Sequence, residues 1–115
     1  MSDQIELSVP KPTVAEGSAF SATANFRTRS TSAASAPTTI KYRLDCLTSG
    51  AQIADWASVS AASSVTIAVT GTHNAIQSNG NDYEVKQLTV MADEGLTTQV
   101  RQAVRWRVEN LYGSP

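Results

Sequence analysis

The sequence is poor in the residues that carry most enzyme and metal chemistry. One cysteine, Cys46, and one histidine, His73, occur among 115 residues. A lone cysteine cannot form an internal disulfide, and a zinc site needs three or four protein ligands. A serine or cysteine nucleophile would have only His73 as its base, and the serines lie in Ser/Thr/Ala runs rather than in glycine-flanked turns. We therefore expect no enzyme, no cofactor and no metal, with Cys46 as a small half-buried apolar residue.

Charge and long apolar runs are also scarce. Charged residues make up 17% of the chain, and nine Lys and Arg against ten Asp and Glu leave a net charge of -1. Such a chain has no global field that would attract nucleic acid or an anionic membrane. No apolar run approaches the roughly 20 residues of a membrane helix. We expect one domain spanning residues 1–115, with neither nucleic acid nor membrane as a partner.

What the sequence does contain is alternation of apolar and polar residues, the signal of strands with one face in a core. Seven short segments follow it, separated by turn residues and without a sustained helical period. The segments begin at Ile5, Phe20, Ile40, Gln52, Ser64, Tyr83 and Val100. Alternation directs Phe20, Phe26, Tyr42, Ile67 and Trp106 inward, whereas Trp56 is predicted to pack at the rim of the core. The fold class is therefore all-β, an antiparallel two-sheet sandwich of about seven strands without a disulfide.

Two segments interrupt this pattern. Pro10 and Pro12 end the first strand, because proline donates no ladder hydrogen bond, and such a break is typical of a strand that switches sheets. The prolines and the charge of Glu6 also predict that the first strand is an edge strand. Between the fifth and sixth strands, Thr70 or Thr72 is predicted to cap one helical turn over residues 73–76.

The sixth predicted strand does not keep a single parity. Tyr83 and Val85 share one parity, whereas the apolar residues within 88–92 share the other. A bulge inserts one residue and restores alternation. The sequence therefore predicts a bulge near Lys86 and Gln87.

One charge pattern points to binding. The last strand alternates, with its arginines on the parity opposite to Val104, Trp106 and Val108, and the third strand adds two cations of the same kind. The predicted partner-docking face comprises Lys41, Arg43, Arg101, Arg105 and Arg107. It would pair with acidic groups of a partner or with phosphates. The alternative is a solvated outer face whose charge is compensated by Glu84 and Lys86 on the neighbouring strand.

The third strand IKYRL, the fifth strand VTIAV and the run 88–92, which leads into a turn at Gly95 and a long last strand, resemble the disulfide-free fibronectin type III-like class of immunoglobulin-like folds. The chain departs from that class in its second strand, which carries Phe20 and Phe26 in place of a tryptophan. The resemblance is one of architecture.

The segments YRLDCLTSG, DWASVSAASSVTI and QAVRWRVENLYG resemble the small immunoglobulin-like structural proteins encoded by tailed bacteriophages. The resemblance implies a non-enzymatic virion component, a capsid decoration (cement) protein that docks on the major capsid protein lattice, or alternatively a neck or tail module. The expected partners are capsid, neck or tail proteins and copies of the chain itself. Residues 1–4, MSDQ, do not have the pattern of a secretory signal, so the expected route is synthesis in the host cytoplasm and incorporation into the virion.

A carbohydrate- or cell-surface-binding module is the alternative of another class. Such modules usually present aromatic platforms, and aromatic residues are 6% of this chain. The inward parity already occupies most of them, so the aromatic residues left for a glycan are Trp56, Tyr83 and Tyr112.

Overall fold

The computed structural model describes residues 4–28, 31–78 and 80–111, and every regular element in these ranges is a strand. The strands are β1 (Gln4–Ser8), β2 (Thr13–Ala15), β3 (Phe20–Arg27), β4 (Ile40–Cys46), β5 (Gln52–Val59), β6 (Ser64–Val69), β7 (Tyr83–Ala92) and β8 (Val100–Glu109). The all-β prediction is confirmed for the described residues. Seven of the strands correspond to the predicted segments, and β2 is additional.

The strands form two sheets. One has three strands in the order β1-β3-β6, and the other has five in the order β2-β8-β7-β4-β5. The chain leaves the first sheet after β1 and enters the second at β2, so the switch predicted at Pro10 and Pro12 is confirmed, as is the edge position of β1. The prediction that all strand pairs are antiparallel is wrong at one place, because β2 pairs in parallel with β8. With three residues, β2 is too short for alternation to reveal it.

The core lies between the sheets and contains the residues that alternation directs inward. Phe26, Ile67 and Trp106 are at most 2% exposed. Phe20 and Tyr42 are partly buried and pack against this core. The rings of Phe20 and Trp106 meet edge to face, with centroids 5.2 Å apart and planes at 87°, a geometry that aromatic pairs prefer.

The bulge predicted near Lys86 and Gln87 is wrong. β7 pairs with β8 residue by residue from Tyr83 to Ala92 without a register shift. Glu84 and Lys86 take the same inward parity as Leu88, and both are fully buried. The strand keeps its alternation because it places an ion pair in the interior where the sequence pattern indicates apolar residues.

Hydrogen bonds to the loop between β6 and β7 compensate for the burial of this pair. The Glu84 carboxylate accepts from the backbone N–H groups of Gln77 at 2.8 Å and Ser78 at 3.0 Å, from the Asn81 side-chain amide at 2.9 Å and from Lys86 Nζ at 3.0 Å. Lys86 Nζ also donates to the Ala75 carbonyl at 2.9 Å. Burial alone raises the pKa of Glu84, but these hydrogen bonds outweigh it and lower the pKa below its usual value.

Asn74 ties two loops to the last strand. Its Oδ1 accepts a hydrogen bond from Trp106 Nε1 at 2.7 Å, and its Nδ2 donates to the Ser18 carbonyl at 2.8 Å. Its backbone N–H donates to the Thr70 carbonyl at 3.2 Å. The helical turn predicted over residues 73–76 is wrong in position, because the turn covers residues 71–74 and does not continue as a helix. The cap predicted at Thr70 is present, since its Oγ1 accepts from the His73 N–H at 3.3 Å.

Asp93 connects the segment before β4 to the turn that follows β7. It is fully buried, and its carboxylate accepts from the Thr38 N–H at 2.6 Å and from Thr98 Oγ1 at 2.7 Å. Its φ of 56° and the φ of 83° at Gly95 make the turn toward β8, in the left-handed region that Asp tolerates and Gly adopts without strain. The turn predicted at this position is confirmed.

We expect Glu84→Gln to lower the free energy of unfolding by about 3–5 kcal/mol at pH 7, because Lys86 would stay buried without its charge partner. The double variant Glu84→Gln/Lys86→Met is expected to lose less than the sum of the two single variants, since it removes both charges. Urea denaturation measures all three values. Strictly additive losses would contradict a coupled buried pair.

The same pair predicts a pH dependence. The folded-state pKa of Glu84 is lowered, so its charge contributes fully to stability above the unfolded-chain value of about 4.3. That contribution is lost as the pH falls through the lower folded-state pKa. The stability difference between wild type and Glu84→Gln should therefore shrink below about pH 4. A difference that stays constant from pH 7 to pH 3 would contradict this linkage.

Candidate docking surface

All five cations of the predicted docking face lie on the outer face of the five-stranded sheet. The ladder aligns Lys41 with Met91 and Met91 with Arg101, so these three form one row across β4, β7 and β8. The remaining three cations have the same outward parity: Arg43 on β4, and Arg105 and Arg107 on β8. The three arginines of β8 are exposed, and the two cations of β4 are half-buried. We call these five residues the outer cationic face.

Trp56 of β5 lies within this face. Its ring centroid is 5.5 Å from Lys41 Nζ, 5.7 Å from Arg43 Cζ and 5.9 Å from Arg101 Cζ. These distances are in the range of cation–π attraction. The rim position predicted for Trp56 is wrong, because the ring is on the outer side of the sheet and is absent from the core cluster.

The burial of Met91 shows that other side chains cover this part of the outer face. It has outward parity and is not a member of the core cluster, yet it is 2% exposed. Its ladder neighbours are Lys41 and Arg101, whose charged ends both approach Trp56. We infer that the indole and the alkyl stems of the two cations shield Met91 from water.

Carboxylates neutralise part of the outer cationic face. The ion pairs are Lys41 with Glu94 at 2.6 Å, Arg43 with Asp45 at 2.6 Å and Arg107 with Glu109 at 3.3 Å. The double hydrogen bond to Asp45 raises the pKa of the Arg43 guanidinium. The compensation predicted from Glu84 and Lys86 is wrong, because both side chains are inside the core.

Arg101 and Arg105 differ from the other three cations. Arg105 Nε donates to the neutral Gln87 side chain at 2.9 Å, and Arg101 approaches the Trp56 ring. Neither has a carboxylate partner among the described residues. An arginine in this state can form a bidentate pair with a carboxylate of another molecule without breaking an existing ion pair.

The aromatic residues considered for glycan binding are engaged with cations. Tyr83 is 43% exposed, and the Arg107 guanidinium lies 3.7 Å from its ring centroid. Trp56 is surrounded by three cations. Tyr112 lies outside the described residues. One face of the Tyr83 ring is therefore already covered, and no pair of bare rings forms a platform in the part of the chain that the structure describes.

His73 and Cys46, the two residues considered for metal or nucleophilic chemistry, lie in different environments. His73 Nδ1 accepts a hydrogen bond from the Thr70 N–H at 3.0 Å. Cys46 is fully buried rather than half-buried, with its Sγ 3.8 Å from Glu84 Oε1. Within residues 4–28, 31–78 and 80–111, no pocket is found and no three His, Cys, Asp or Glu side chains are grouped to hold a metal ion. The same residues form no helix of the length and apolarity needed to cross a membrane.

Sequence reasoning missed Trp56 as a member of this surface. A signal was available in the short loop between the third and fourth predicted strands, since strands joined in this way usually pair as a hairpin and would bring the indole near Lys41 and Arg43. The register needed to use it includes an irregularity between Tyr42 and Leu44. A one-residue shift moves a side chain to the opposite face, so the side occupied by Trp56 could not be read from the sequence.

We expect Trp56→Ala to lower the free energy of unfolding by about 1–3 kcal/mol, because it uncovers Met91 and removes the ring from three cations. The matched control is Ser58→Ala, an exposed position of the same strand opposite Lys41. The control should change stability by less than about 0.5 kcal/mol. Equal effects of the two substitutions in urea denaturation would contradict the role given to Trp56.

The structure thus brings together all five residues of the predicted docking face, and their role in docking stays a prediction. Comparison with protein-family models, curated proteins and solved structures finds no match to this chain. The function has to be inferred from the residues themselves.

Proposed function

We propose that this chain is a non-enzymatic structural component of a tailed-phage virion, a capsid decoration protein that docks on the lattice of the major capsid protein. Its docking surface is the outer cationic face. The observation that carries the proposal is the presence there of Arg101 and Arg105, which have no carboxylate partner among the described residues, beside an indole held by cations.

This surface has the composition of a protein interface. Arg and Trp are enriched where interfaces gain most of their binding energy, because both combine a large contact area with directional polar groups. The three cations that are paired with carboxylates contribute little to the positive potential of this face. The two arginines without carboxylate partners would select the binding partner. An acidic patch on the partner is the complementary surface.

Repetition on a lattice would strengthen such a contact. Each contact of one small face is weak, and a particle that offers many identical sites retains bound copies at modest single-site affinity. The immunoglobulin-like or fibronectin type III-like form of the fold is part of this proposal. It is supported by the two-sheet arrangement, the change of sheet after β1 and the free cysteine.

A neck or tail module would use the same face on a different partner. Copy number separates the two roles, because decoration requires hundreds of copies per particle and a neck or tail ring requires far fewer. Quantitative mass spectrometry of purified particles measures it. Hundreds of copies would support decoration, a ring-sized number would support the neck or tail role, and absence from the particle would overturn both.

The docking face itself is tested by charge reversal. We expect Arg105→Glu to weaken binding to particles that lack this chain at least about tenfold, equivalent to about 1.4 kcal/mol, because it places like charges in the contact. Co-sedimentation at increasing protein concentration measures the affinity.

The matched control is Lys11→Glu, which reverses one exposed cation outside the outer cationic face. It should bind within about twofold of wild type, because surface charges away from a contact have small effects. Equal weakening by both variants would indicate a general charge effect and contradict docking through this face.

A further inference from the structure

The edge of the three-stranded sheet at β6 is the least protected strand edge in the described part of the chain. Edge strands expose unpaired backbone groups, and charges, prolines or irregularities normally protect them. The other edges carry such features: Glu6 paired with Arg27 on β1, Pro12 before β2, Arg101 and Arg105 on the part of β8 that β2 does not cover, and Asp55 with a register shift on β5. β6 has none, and the sequence contains no Lys, Arg, Asp or Glu from residue 56 to residue 81.

The backbone groups that face this open edge can be identified. The Phe26 N–H donates to the Ser63 carbonyl at 2.8 Å, which continues the β3–β6 register beyond Ser64. In an antiparallel pair, residues alternate between those bonded to the neighbour and those directed away. Val65 and Ile67 therefore form hydrogen bonds with β3. The residues that direct their N–H and C=O groups away from β3 are Ser64, Thr66 and Ala68. No described segment pairs with that side of β6.

The facing sheet has two more strands than the sheet that contains β6. β1 approaches β8, and the strand orders are β1-β3-β6 and β2-β8-β7-β4-β5, so we infer that β6 lies toward the β4–β5 side of the larger sheet. Ile53, Ala54 and Val59 of β5 pack against the core, the first two at a register shift, but are only partly buried. A strand added beside β6, about 4.8 Å away, would lie on the β5 side and could cover these residues.

From these observations we propose that β6 accepts one extended strand from a partner protein, which adds a fourth strand to the three-stranded sheet. The partner segment is uncharged and alternates, with apolar side chains directed toward Ile53, Ala54 and Val59 and small polar ones directed outward. Strand addition of this kind takes affinity from backbone hydrogen bonds and specificity from alternate side chains.

The site is independent of the outer cationic face, since it lies on the other sheet and is recognised through backbone rather than charge. The probe is a peptide of residues 63–70, SSVTIAVT, with a lysine added at each end for solubility. Backbone amide exchange by NMR at millimolar peptide is the measurement. Exchange at Ser64, Thr66 and Ala68 should slow at least tenfold, while Val65 and Ile67 stay unchanged.

A peptide with prolines at its two central positions is the control for strand formation, and it should not slow exchange. Protection that appears on β1 or β5 instead, protection without the alternation along β6, or no protection at all would overturn the proposal.

Variants locate the contact. Thr66→Lys should weaken peptide binding at least tenfold, whereas Ser8→Lys on the opposite edge of the same sheet should not. Should Thr66→Lys fold poorly, Ala68→Pro removes an N–H that no strand of this chain uses, and it should abolish protection. Arg105→Glu should bind the peptide as wild type does, so failure of this proposal and failure of particle docking are distinguishable. Unchanged binding by both β6 variants would overturn the assignment to this edge.

Discussion

The buried ion pair of Glu84 and Lys86 is the constraint on which the rest of the structure depends. β7 is the central strand of the five-stranded sheet, and it keeps one register along its whole length because this pair is accepted inside. A bulge at that point would have reversed the side-chain parity of half the strand. The alignment of Lys41, Met91 and Arg101 across three strands, and with it the outer cationic face, follows from that unbroken register.

The buried polar residues share a second role, which is to connect loops to the sheets. Glu84 and Lys86 bind the loop after β6, Asn74 joins that loop to Ser18 and Trp106, and Asp93 binds the segment before β4. Each interaction satisfies buried backbone or side-chain groups that would otherwise lose their hydrogen bonds on folding. The loops are therefore held at both ends of the molecule, and the outer sheet face and the β6 edge remain available between them.

These two surfaces differ in the physical basis of recognition. On the outer cationic face, guanidinium groups and an indole would select a partner by charge and contact area. At β6, exposed backbone and half-covered apolar side chains would select an extended strand. A protein that uses both could bind a lattice through one sheet and receive a segment of a partner on the other, and the two contacts would not compete for the same residues.

Alternation by itself determined which residues face the core, because successive side chains on a strand point to opposite sides whatever the neighbouring strand is. Phe26, Ile67 and Trp106 were identified in this way. It could not identify Glu84 and Lys86 as interior residues. Their burial is tolerable because loop residues 75–81 form hydrogen bonds with them, and alternation along a strand does not reveal such contacts. It also could not find β2, which has three residues. Tertiary structure alone decided which strands are neighbours, and therefore which cations share a face and which edge stays open, because strand pairing depends on contacts between segments far apart in the chain.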